Sequence, residues 1–363
     1  MKIINIVGAR PNFIKIAPIM RRMRKSQVIE PILLHTGQHY DIEMSKRFFE
    51  ELNIPTPDIS LEVGSDTHAK QVARIMERFD DVCDQEKPDG ILVVGDVNST
   101  MACSLVAAKK GIKIIHVEAG IRSFDREMPE EINRMVTDAI ADMLLPPSRD
   151  AVENLLHEGH SMSKIHLVGN IMIDTLMDSQ PSIMKSEILQ VLGVEERKYA
   201  LVTLHRPSNV DTISAFKRIL LALSKIQEYL PVVFPVHPRT HKILETPELK
   251  AITGNMPGLI LGDPLGYFDF GRLVAGCRMV ITDSGGIQEE STVYGIPCIT
   301  IRENTERPIT LSEGTNELAG TDTAKIIGFA EQIIGGKWKT GKIPELWDGH
   351  TAERIIDCIE KYM

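Results

Sequence analysis

Carboxylates close two apolar stretches in the first half of the chain. Asp96 ends the run GILVVGD at residues 90–96, and Glu118 ends the run IKIIHVE at residues 112–118. If these runs are neighbouring parallel strands, the two carboxylates lie together at the carboxyl edge of a sheet, where open α/β folds bind their ligands. Carboxylates in such a place suit the removal and return of a proton on a bound substrate.

More acids follow in the stretch MPEEINRMVTDAIADML, which predicts a helix that begins near Pro129. Glu130 and Glu131 could act on a ligand or only complement the helix dipole, and periodicity does not decide which of them faces a ligand. A metal site is the rival use of this acidic cluster, but its usual Asp-x-Asp or paired-His spacing is missing. Helical spacing predicts a core-facing apolar side made of Ile132, Met135, Val136, Ala139, Ile140, Met143 and Leu144.

Histidines close two stretches in the second half. His205 ends YALVTLH at residues 199–205, and His237 ends PVVFPVH at residues 231–237. Each could be a structural histidine. His205 is the better candidate for acid–base work or a phosphate contact, because it ends the first strand of the second half.

Two turns have the composition of anion-binding sites. In ITDSGGIQEE, Ser284, Gly285 and Gly286 form a turn that opens a helix, and Glu290 lies further along that helix, where an acid can accept from ribose hydroxyls. The turn IVGARPNFIK near the start of the chain carries two cations that suit a diphosphate, as does the loop RENTERP at residues 302–308. These cations are Arg10, Lys15, Arg302 and Arg307.

The elements that must position these residues alternate along the whole chain. Short, nearly continuous apolar runs alternate with amphipathic helices, which is typical of βαβ units with parallel strands buried on both faces. Six strands are predicted before residue 171, at 2–8, 30–37, 90–96, 112–118, 143–148 and 165–170. Five more are predicted after residue 198, at 199–205, 231–237, 259–263, 278–284 and 297–303.

This pattern predicts an α/β protein with two Rossmann-like, doubly wound domains that face a ligand cleft. We expect a first domain at residues 1–172 with the carboxylates, a second at 173–350 that binds a nucleotide diphosphate, and a final helix at 351–363. That helix could pack back on the first domain.

Composition excludes several classes of function. The net charge of −9 argues against a general nucleic-acid partner. The five cysteines form no CxxC pair, which indicates free thiols in a reducing compartment. No run of eighteen apolar residues and no signal peptide are evident, so we expect a cytoplasmic protein without a membrane partner.

Several motifs, in the same order along nearly the whole chain, resemble those of the non-hydrolysing UDP-N-acetylglucosamine 2-epimerases. They are GARPNFIK, HTGQHY, GDVNST, HVEAGIRS, MPEEINR, HRPSNVD and TDSGGIQEE followed by TERP. The resemblance implies a glycosyltransferase-B type fold, a homodimer, a UDP-sugar substrate, and no metal or other cofactor. It also implies C2 epimerisation of UDP-GlcNAc to UDP-ManNAc through elimination of UDP, for cell-surface polysaccharide precursors.

The resemblance assigns roles to residues at the matching positions. Acid–base roles fall on Asp96, Glu118, Glu130 and His205, without deciding which carboxylate serves which face of the sugar. Contacts to the UDP part fall on Arg10, Lys15, Ser284, Gly286, Glu290 and Arg307, with Phe270 near the uracil; Gly285 and His237 complete the candidate set.

One motif departs from the family pattern. Many bacterial members read HRREN where this chain reads HRPSN, so Pro207 and Ser208 replace Arg and Glu. In those members the Glu of this motif helps to hold an activating second UDP-GlcNAc. Gln38 and His39 match that allosteric pocket and Arg206 adjoins it, so the sequence leaves substrate activation open.

Four other functions remain open from sequence. They are a hydrolysing 2-epimerase that releases ManNAc and UDP, a 2-epimerase for a UDP-2,3-diacetamido-uronic acid, a glycosyltransferase of the same fold, and a sugar-nucleotide-binding module.

Overall fold

The computed structural model describes residues 1–37, 51–52, 54–236 and 238–363, with the backbone alone at residues 10, 238 and 239. Gln38, His39 and His237 therefore lie outside the described residues. The chain forms two compact units, the first made of Met1–Asp178 with Glu345–Met363 and the second of Ser179–Pro344.

The first unit is built on a six-stranded parallel sheet in the order β3-β2-β1-β4-β5-β6. Its strands are β1 (Lys2–Val7), β2 (Glu30–His35), β3 (Ile59–Ser60), β4 (Gly90–Val94), β5 (Lys113–Val117) and β6 (Met143–Leu145). Strand β4 is buried along its whole length because helices cover both faces of the sheet. The strand order reverses between β1 and β4, which creates a topological switch point at the carboxyl ends of these two strands.

The second unit repeats this architecture with the order β12-β11-β10-β7-β8-β9. Its strands are β7 (Ala200–Thr203), β8 (Val232–Pro235), β9 (Leu259–Gly262), β10 (Met279–Thr282), β11 (Cys298–Thr300) and β12 (Asn316–Leu318). Apolar clusters fill both faces of this sheet, and here the switch point lies between β7 and β10. The prediction of two doubly wound α/β domains is thus confirmed.

The helices connect successive strands. In the first unit they are α1 (Arg10–Met23), α2 (His68–Glu86), α3 (Asn98–Lys110), α4 (Pro129–Ile140), α5 (Arg149–His157) and α6 (Ile171–Ile183), of which the last runs on into the second unit. In the second unit they are α7 (Ile188–Leu192), α8 (Pro207–Val210), α9 (Ile213–Ile226), α10 (Pro238–Leu244), α11 (Pro247–Thr253), α12 (Tyr267–Gly276), α13 (Gly285–Tyr294), α14 (Ile309–Ser312) and α15 (Thr323–Ile334). The final helix, α16 (Thr351–Tyr362), belongs to the first unit, where Ser26 Oγ donates to Glu360 Oε1 over 2.6 Å.

No helix in the described ranges is both long and apolar enough to cross a membrane.

Helix α4 buries its polar side, contrary to the sequence prediction. Its buried residues are Glu131, Asn133, Arg134, Thr137 and Asp138. Ile132, predicted to face the core, is 40% exposed, Met135, Val136 and Ile140 are half-buried, and Ala139 is exposed. Met143 and Leu144 are buried as predicted, but they lie in strand β6 and not in the helix. The reason is that the polar side chains find hydrogen-bond and ionic partners inside the unit, which offsets the cost of taking them out of water.

Three strand predictions need correction. Residues 165–170 form no strand, because Ile165 makes a single bridge to Leu144 and the neighbouring strand β6 stops before Pro146 and Pro147, which have no amide hydrogen to donate. Strands β3 and β12 were not predicted, since both are very short and lack a continuous apolar run.

The domain boundaries also differ from the predicted ones. The chain leaves the first unit after Asp178 rather than at residue 172, and it returns at Glu345 rather than at residue 351. Helix α6 explains the first difference, because residues 173–178 continue the helix that begins at Ile171 in the first unit.

Candidate active site

Asp96 and Glu118 follow neighbouring strands that are in register. Val94 of β4 pairs with Val117 of β5, so the residues just after them lie at one edge of the sheet. Gly95 lies between them in the left-handed region, with φ +70°, and a β-carbon built on it would be 3.3 Å from Glu118 Oε2 and 3.2 Å from Lys15 Nζ. The absent side chain at Gly95 therefore makes room for the cation and carboxylate beside Asp96.

A buried ion pair joins α1 to the end of β5. Lys15 Nζ donates to Glu118 Oε2, and both side chains are buried. Within the described part of the chain, Glu118 Oε1 is buried and has no hydrogen-bond partner. This oxygen is therefore available as a proton acceptor, since its carboxylate is held in place through the other oxygen.

Arg134 of α4 bridges two carboxylates. Its Nη2 donates to Asp96 Oδ2 over 2.5 Å and its Nη1 donates to Glu131 Oε2 over 2.8 Å. Glu131 also accepts from the backbone amides of Ser123 and Phe124, so its oxygens are engaged in structure. Asn133 Nδ2 donates to the backbone oxygen of Asp96 over 2.8 Å.

Glu130 differs from its neighbour Glu131. It lies in the first turn of α4, and its side chain is half-buried. Periodicity does not distinguish these two acids, but their surroundings in the structure differ. Glu131 binds Arg134 and the backbone amides of residues 123–124, whereas the Glu130 side chain is partly exposed.

At the end of β7 in the second unit, His205 forms a pair with Asp283. His205 Nδ1 lies 3.0 Å from Asp283 Oδ1, and 45% of the histidine side chain is exposed. Asp283, which follows β10, also accepts from the backbone amide of Arg206 over 2.9 Å and from Asn209 Nδ2 over 3.0 Å. Burial alone would raise the pKa of Asp283, but His205, followed by the Arg206 amide and Asn209, holds it below its usual value. An ionised Asp283 orients the imidazole and leaves its Nε2 edge for a ligand.

The amino end of α13 is crowded with arginines. A β-carbon on Gly285 would lie 3.1 Å from Glu306 Oε1 and 3.2 Å from Arg307 Cζ, so the guanidinium lies against the first turn of the helix. Arg307 Nε also donates to Glu289 Oε1 over 3.1 Å.

Three guanidinium groups meet at this helix end. Glu306 contacts Arg302 at 2.6 Å, Arg307 at 3.1 Å and Arg206 at 3.4 Å. Burial lowers the pKa of Arg302 despite the attraction of Glu306, and Arg206 and Arg307 add repulsion. Arginines that repel one another beside a helix amino terminus, next to the turn formed by Ser284, Gly285 and Gly286, constitute an anion-binding arrangement.

Glu290 is buried further along α13. Burial and the charge of Glu289 raise its pKa to about 8, against a hydrogen bond from Tyr267. Phe270 of α12 is half-buried and packs against one of the two apolar clusters of the second unit, the one that contains Leu273 and Val280. Arg10 begins α1 immediately after the β1 turn, and its side chain is outside the described part of the structure.

The structure thus gathers the candidates at two sheet edges. In the first unit it brings together Lys15, Asp96 and Glu118, and in the second unit His205, Arg206, Ser284, Gly285, Gly286 and Arg307. Sequence reasoning assigned no role to Arg134, Asn133, Asp283 or Glu306. Asp283 could have been found, because it ends a predicted strand as Asp96 does. Arg134 could not, because it lies on the helix side predicted to face away from the core.

The described residues contain no group of three His, Cys, Asp or Glu side chains that could hold a metal ion.

Comparison with known proteins agrees with this geometry. A family profile described as UDP-N-acetylglucosamine 2-epimerase matches residues 21–360. A UDP-N-acetylglucosamine 2-epimerase of Methanococcus maripaludis is 41% identical over 361 residues, which is 98% of this chain and 97% of the relative. A UDP-2,3-diacetamido-2,3-dideoxy-D-glucuronate 2-epimerase of Pseudomonas aeruginosa is 39% identical over 339 residues, or 92% and 93% of the two chains.

A solved structure is similar over the whole chain. It is the UDP-GlcNAc 2-epimerase of Methanocaldococcus jannaschii in complex with UDP-GlcNAc and UDP, with a TM-score of 0.90, 39% identity, and coverage of 99% of this chain and 100% of the other. Two units that are each a six-stranded parallel sheet with flanking helices, together with this structural similarity, define an α/β protein of the glycosyltransferase-B type. The chain belongs to the UDP-N-acetylglucosamine 2-epimerase family, whose named members are isomerases.

Proposed function

We propose that this chain catalyses the reversible, non-hydrolysing C2 epimerisation of UDP-N-acetylglucosamine to UDP-N-acetylmannosamine. Besides family membership, the observation that carries the proposal is the pair of acids at the ends of β4 and β5. Glu118 Oε1 is buried and unpartnered within the described residues, and Asp96 is clamped by Arg134. C2 epimerisation requires proton transfer on both faces of one carbon, which needs more than one acid–base group.

The proposed reaction conserves its atoms and electrons. A carboxylate removes the C2 proton, the C2–H electrons form a C1=C2 double bond, and the C1–O bond breaks as UDP departs with its electron pair. UDP oxygen then adds back to C1 while a proton is delivered to the opposite face of C2. We assign the proton transfers to Asp96, Glu118 and Glu130, without assigning a face to any one of them.

We assign the UDP part of the substrate to the second unit. Arg307 and the amino end of α13 suit the diphosphate, Glu290 suits the ribose hydroxyls, and Phe270 suits the uracil. Asp283 accepts from the Nδ1–H of His205, so the Nε2 edge would face the departing phosphate oxygen and donate to it when the ring is doubly protonated. Lys15 has a second role here, since it neutralises Glu118 and would contact the leaving diphosphate.

Proton NMR of the protein with UDP-GlcNAc in D2O tests this proposal. We expect UDP-ManNAc to form and deuterium to replace the C2 proton in both sugars. Asp96→Asn should lower this exchange by about 10²–10⁴-fold, the usual contribution of acid–base catalysis, while UDP still binds. Free ManNAc with UDP would instead indicate a hydrolysing enzyme, and unchanged substrate would contradict the proposal.

One relative is named for a different substrate, which serves as the alternative to test. The Pseudomonas relative named for UDP-2,3-diacetamido-2,3-dideoxy-D-glucuronate is 39% identical, close to the identity of the relatives named for UDP-GlcNAc. Parallel kinetics with both sugar nucleotides should give the higher kcat/KM for UDP-GlcNAc. A higher value for the uronate would reassign the substrate and leave the C2 chemistry in place.

We further propose that the chain forms a homodimer in the cytoplasm and supplies cell-surface polysaccharide precursors. All five cysteines are free thiols, which suits a reducing compartment. Helix α4 directs Ile132, Met135 and Val136 away from its buried polar side, and such a face suits burial against a second copy. Sedimentation of the purified chain should give the dimer mass, and Ile132→Glu should shift it toward the monomer.

A further inference from the structure

We propose that His116 is a positioning residue that is held as a buried imidazolium and fixes the backbone at Asp96. The inference rests on the proposed function, because it concerns the same carboxylates. His116 lies in β5, two residues before Glu118, and its side chain is fully buried. The proton-transfer mechanism above does not use it.

Both ring nitrogens of His116 face groups that accept hydrogen bonds. Nε2 lies 2.9 Å from the backbone oxygen of Gly95, and Nδ1 lies 2.6 Å from Asp138 Oδ1. A carbonyl oxygen can only accept, so Nε2 must carry a hydrogen. Nδ1 carries one as well if Asp138 is ionised.

Asp138 has the surroundings of an ionised carboxylate. Its other oxygen, Oδ2, accepts from Arg122 Nη2 over 2.7 Å and from the backbone amide of Gly120 over 3.0 Å. Arg122 in turn binds both oxygens of Glu158, at 2.7 and 2.6 Å. Two cations and two anions then balance in this cluster when His116 is charged, whereas a neutral His116 would leave it one negative charge in excess.

The Gly95 oxygen belongs to the peptide group that joins Gly95 to Asp96. Because a peptide group is planar, the Nε2–H donor of His116 fixes the plane that leads into Asp96. Asn133 fixes the next plane through the backbone oxygen of Asp96, and Arg134 holds the side chain. Helix α4 thus positions Asp96 through three residues. Asn133 and Arg134 contact Asp96 directly, and Asp138 acts through His116.

The imidazolium also places positive charge behind the carboxylates. The charged groups around it are Asp138 and Arg122, with Glu158 beyond them, on one side, and Lys15 with Glu118 beside Gly95 on the other. A buried cation near Asp96 favours the ionised form that can accept a proton.

Two variants separate the two hydrogen bonds. In His116→Gln the amide nitrogen can take the place of Nε2 and still donate to Gly95, whereas in His116→Asn it can take the place of Nδ1 and reaches only Asp138. We expect C2 exchange to fall about 10–100-fold in His116→Asn, the usual cost of a small misplacement, and clearly less in His116→Gln. Both should bind UDP as the unmodified chain does, and the exposed His157→Gln should change nothing.

The pH dependence of the C2 exchange rate tests whether His116 carries a positive charge. Loss of the cation in His116→Gln should move the acidic limb of the exchange rate to higher pH, because the carboxylates then protonate more readily. Three results would overturn the proposal and show that His116 is only structural. They are an equal fall of the C2 exchange rate in both variants, an acidic limb that does not shift in His116→Gln, and a fall of UDP affinity and melting temperature in parallel with the exchange rate.

A spectroscopic readout stands apart from activity. Long-range ¹H–¹⁵N spectra of histidine-labelled protein should show one residue, absent in His116→Asn, with both ring nitrogens protonated. A neutral tautomer there would overturn the inference. If the chain does not exchange the C2 proton at all, the proposed function fails, and this spectrum still decides the state of His116.

Discussion

Glu290 is the carboxyl group for which the structure gives the clearest pH dependence. Its pKa is raised to about 8 by burial and by Glu289, against a hydrogen bond from Tyr267. Between the ordinary Glu value and this value, the folded chain keeps a proton that the unfolded chain has released. The free energy of unfolding must therefore fall as pH rises through this range, and it levels off above the folded-state pKa.

The variant Glu290→Gln removes this titration. Between about pH 5 and pH 8 the free energy of unfolding of the unmodified chain should fall, whereas that of the variant lacks this contribution. The difference between the two should therefore change in favour of the variant by about 2–5 kcal/mol for a shift of this size. Urea unfolding at both pH values measures the difference, with the exposed Glu331→Gln as the matched control. A difference between variant and unmodified chain that does not change with pH would show that Glu290 is already ionised near neutrality.

The sequence predicts most of the candidate residues that follow strands, but it misses the buried polar residues of α4. Asp96, Glu118 and His205 follow recognisable apolar runs, and the structure places them at the strand ends. Arg134, Asn133 and Asp138 were not found, because their helix alternates apolar and polar residues and an apolar side is expected to face inward. Their partners include Asp96, which follows β4, and His116 of β5, and no local pattern reveals these contacts.

At the scale of elements, the amino end of α13 depends on the absence of a side chain at Gly285. A β-carbon there would come within 3.1–3.2 Å of Glu306 Oε1 and of the Arg307 guanidinium. Gly285→Ala should therefore displace Arg307 by a few tenths of an ångström. We expect UDP affinity to fall about tenfold, which corresponds to about 1.4 kcal/mol, as measured by isothermal titration calorimetry.

Gly328 is the matched control for this substitution. It lies in α15 of the same unit, and a β-carbon built there meets nothing within 4 Å. Gly328→Ala should raise stability by about 0.5–1 kcal/mol through helix propensity and leave UDP binding unchanged. If Gly285→Ala binds UDP as tightly as Gly328→Ala, the position of Arg307 does not govern diphosphate binding.

At the scale of the whole molecule, the second unit is an insertion in the chain of the first. The chain leaves the first unit after Asp178 and returns at Glu345, and α16 then completes the first unit. This arrangement could be predicted only in part: the final helix is amphipathic, which predicts packing, but amphipathicity does not specify a partner. Specific contacts, among them those of Asp174, join the final helix to the first unit.

Asp174 of α6 caps the final helix from another part of the chain. Its two carboxylate oxygens accept from the backbone amides of Thr351 and Ala352, at 3.0 and 2.7 Å, and the side chain is buried. The amino end of a helix leaves amide hydrogens without intrahelical partners, so removal of the carboxylate leaves two buried donors unsatisfied. Burial raises the pKa of Asp174, against these amide hydrogen bonds.

Asp174→Ala should therefore weaken the attachment of α16. We expect the free energy of unfolding to fall by about 1–3 kcal/mol, a range that covers the usual cost of losing a helix cap and of leaving buried donors unsatisfied. Urea unfolding gives the magnitude, and hydrogen exchange should show faster exchange in residues 351–362 before the rest of the first unit. Asp178→Ala is the matched control, because Asp178 lies on the same helix but is about half exposed and pairs with an exposed arginine. Equal stability of the two variants would mean that α16 is held by apolar packing alone, through Ile355, Ile356 and Ile359, and that the carboxylate from α6 does not fix the closing helix of the molecule.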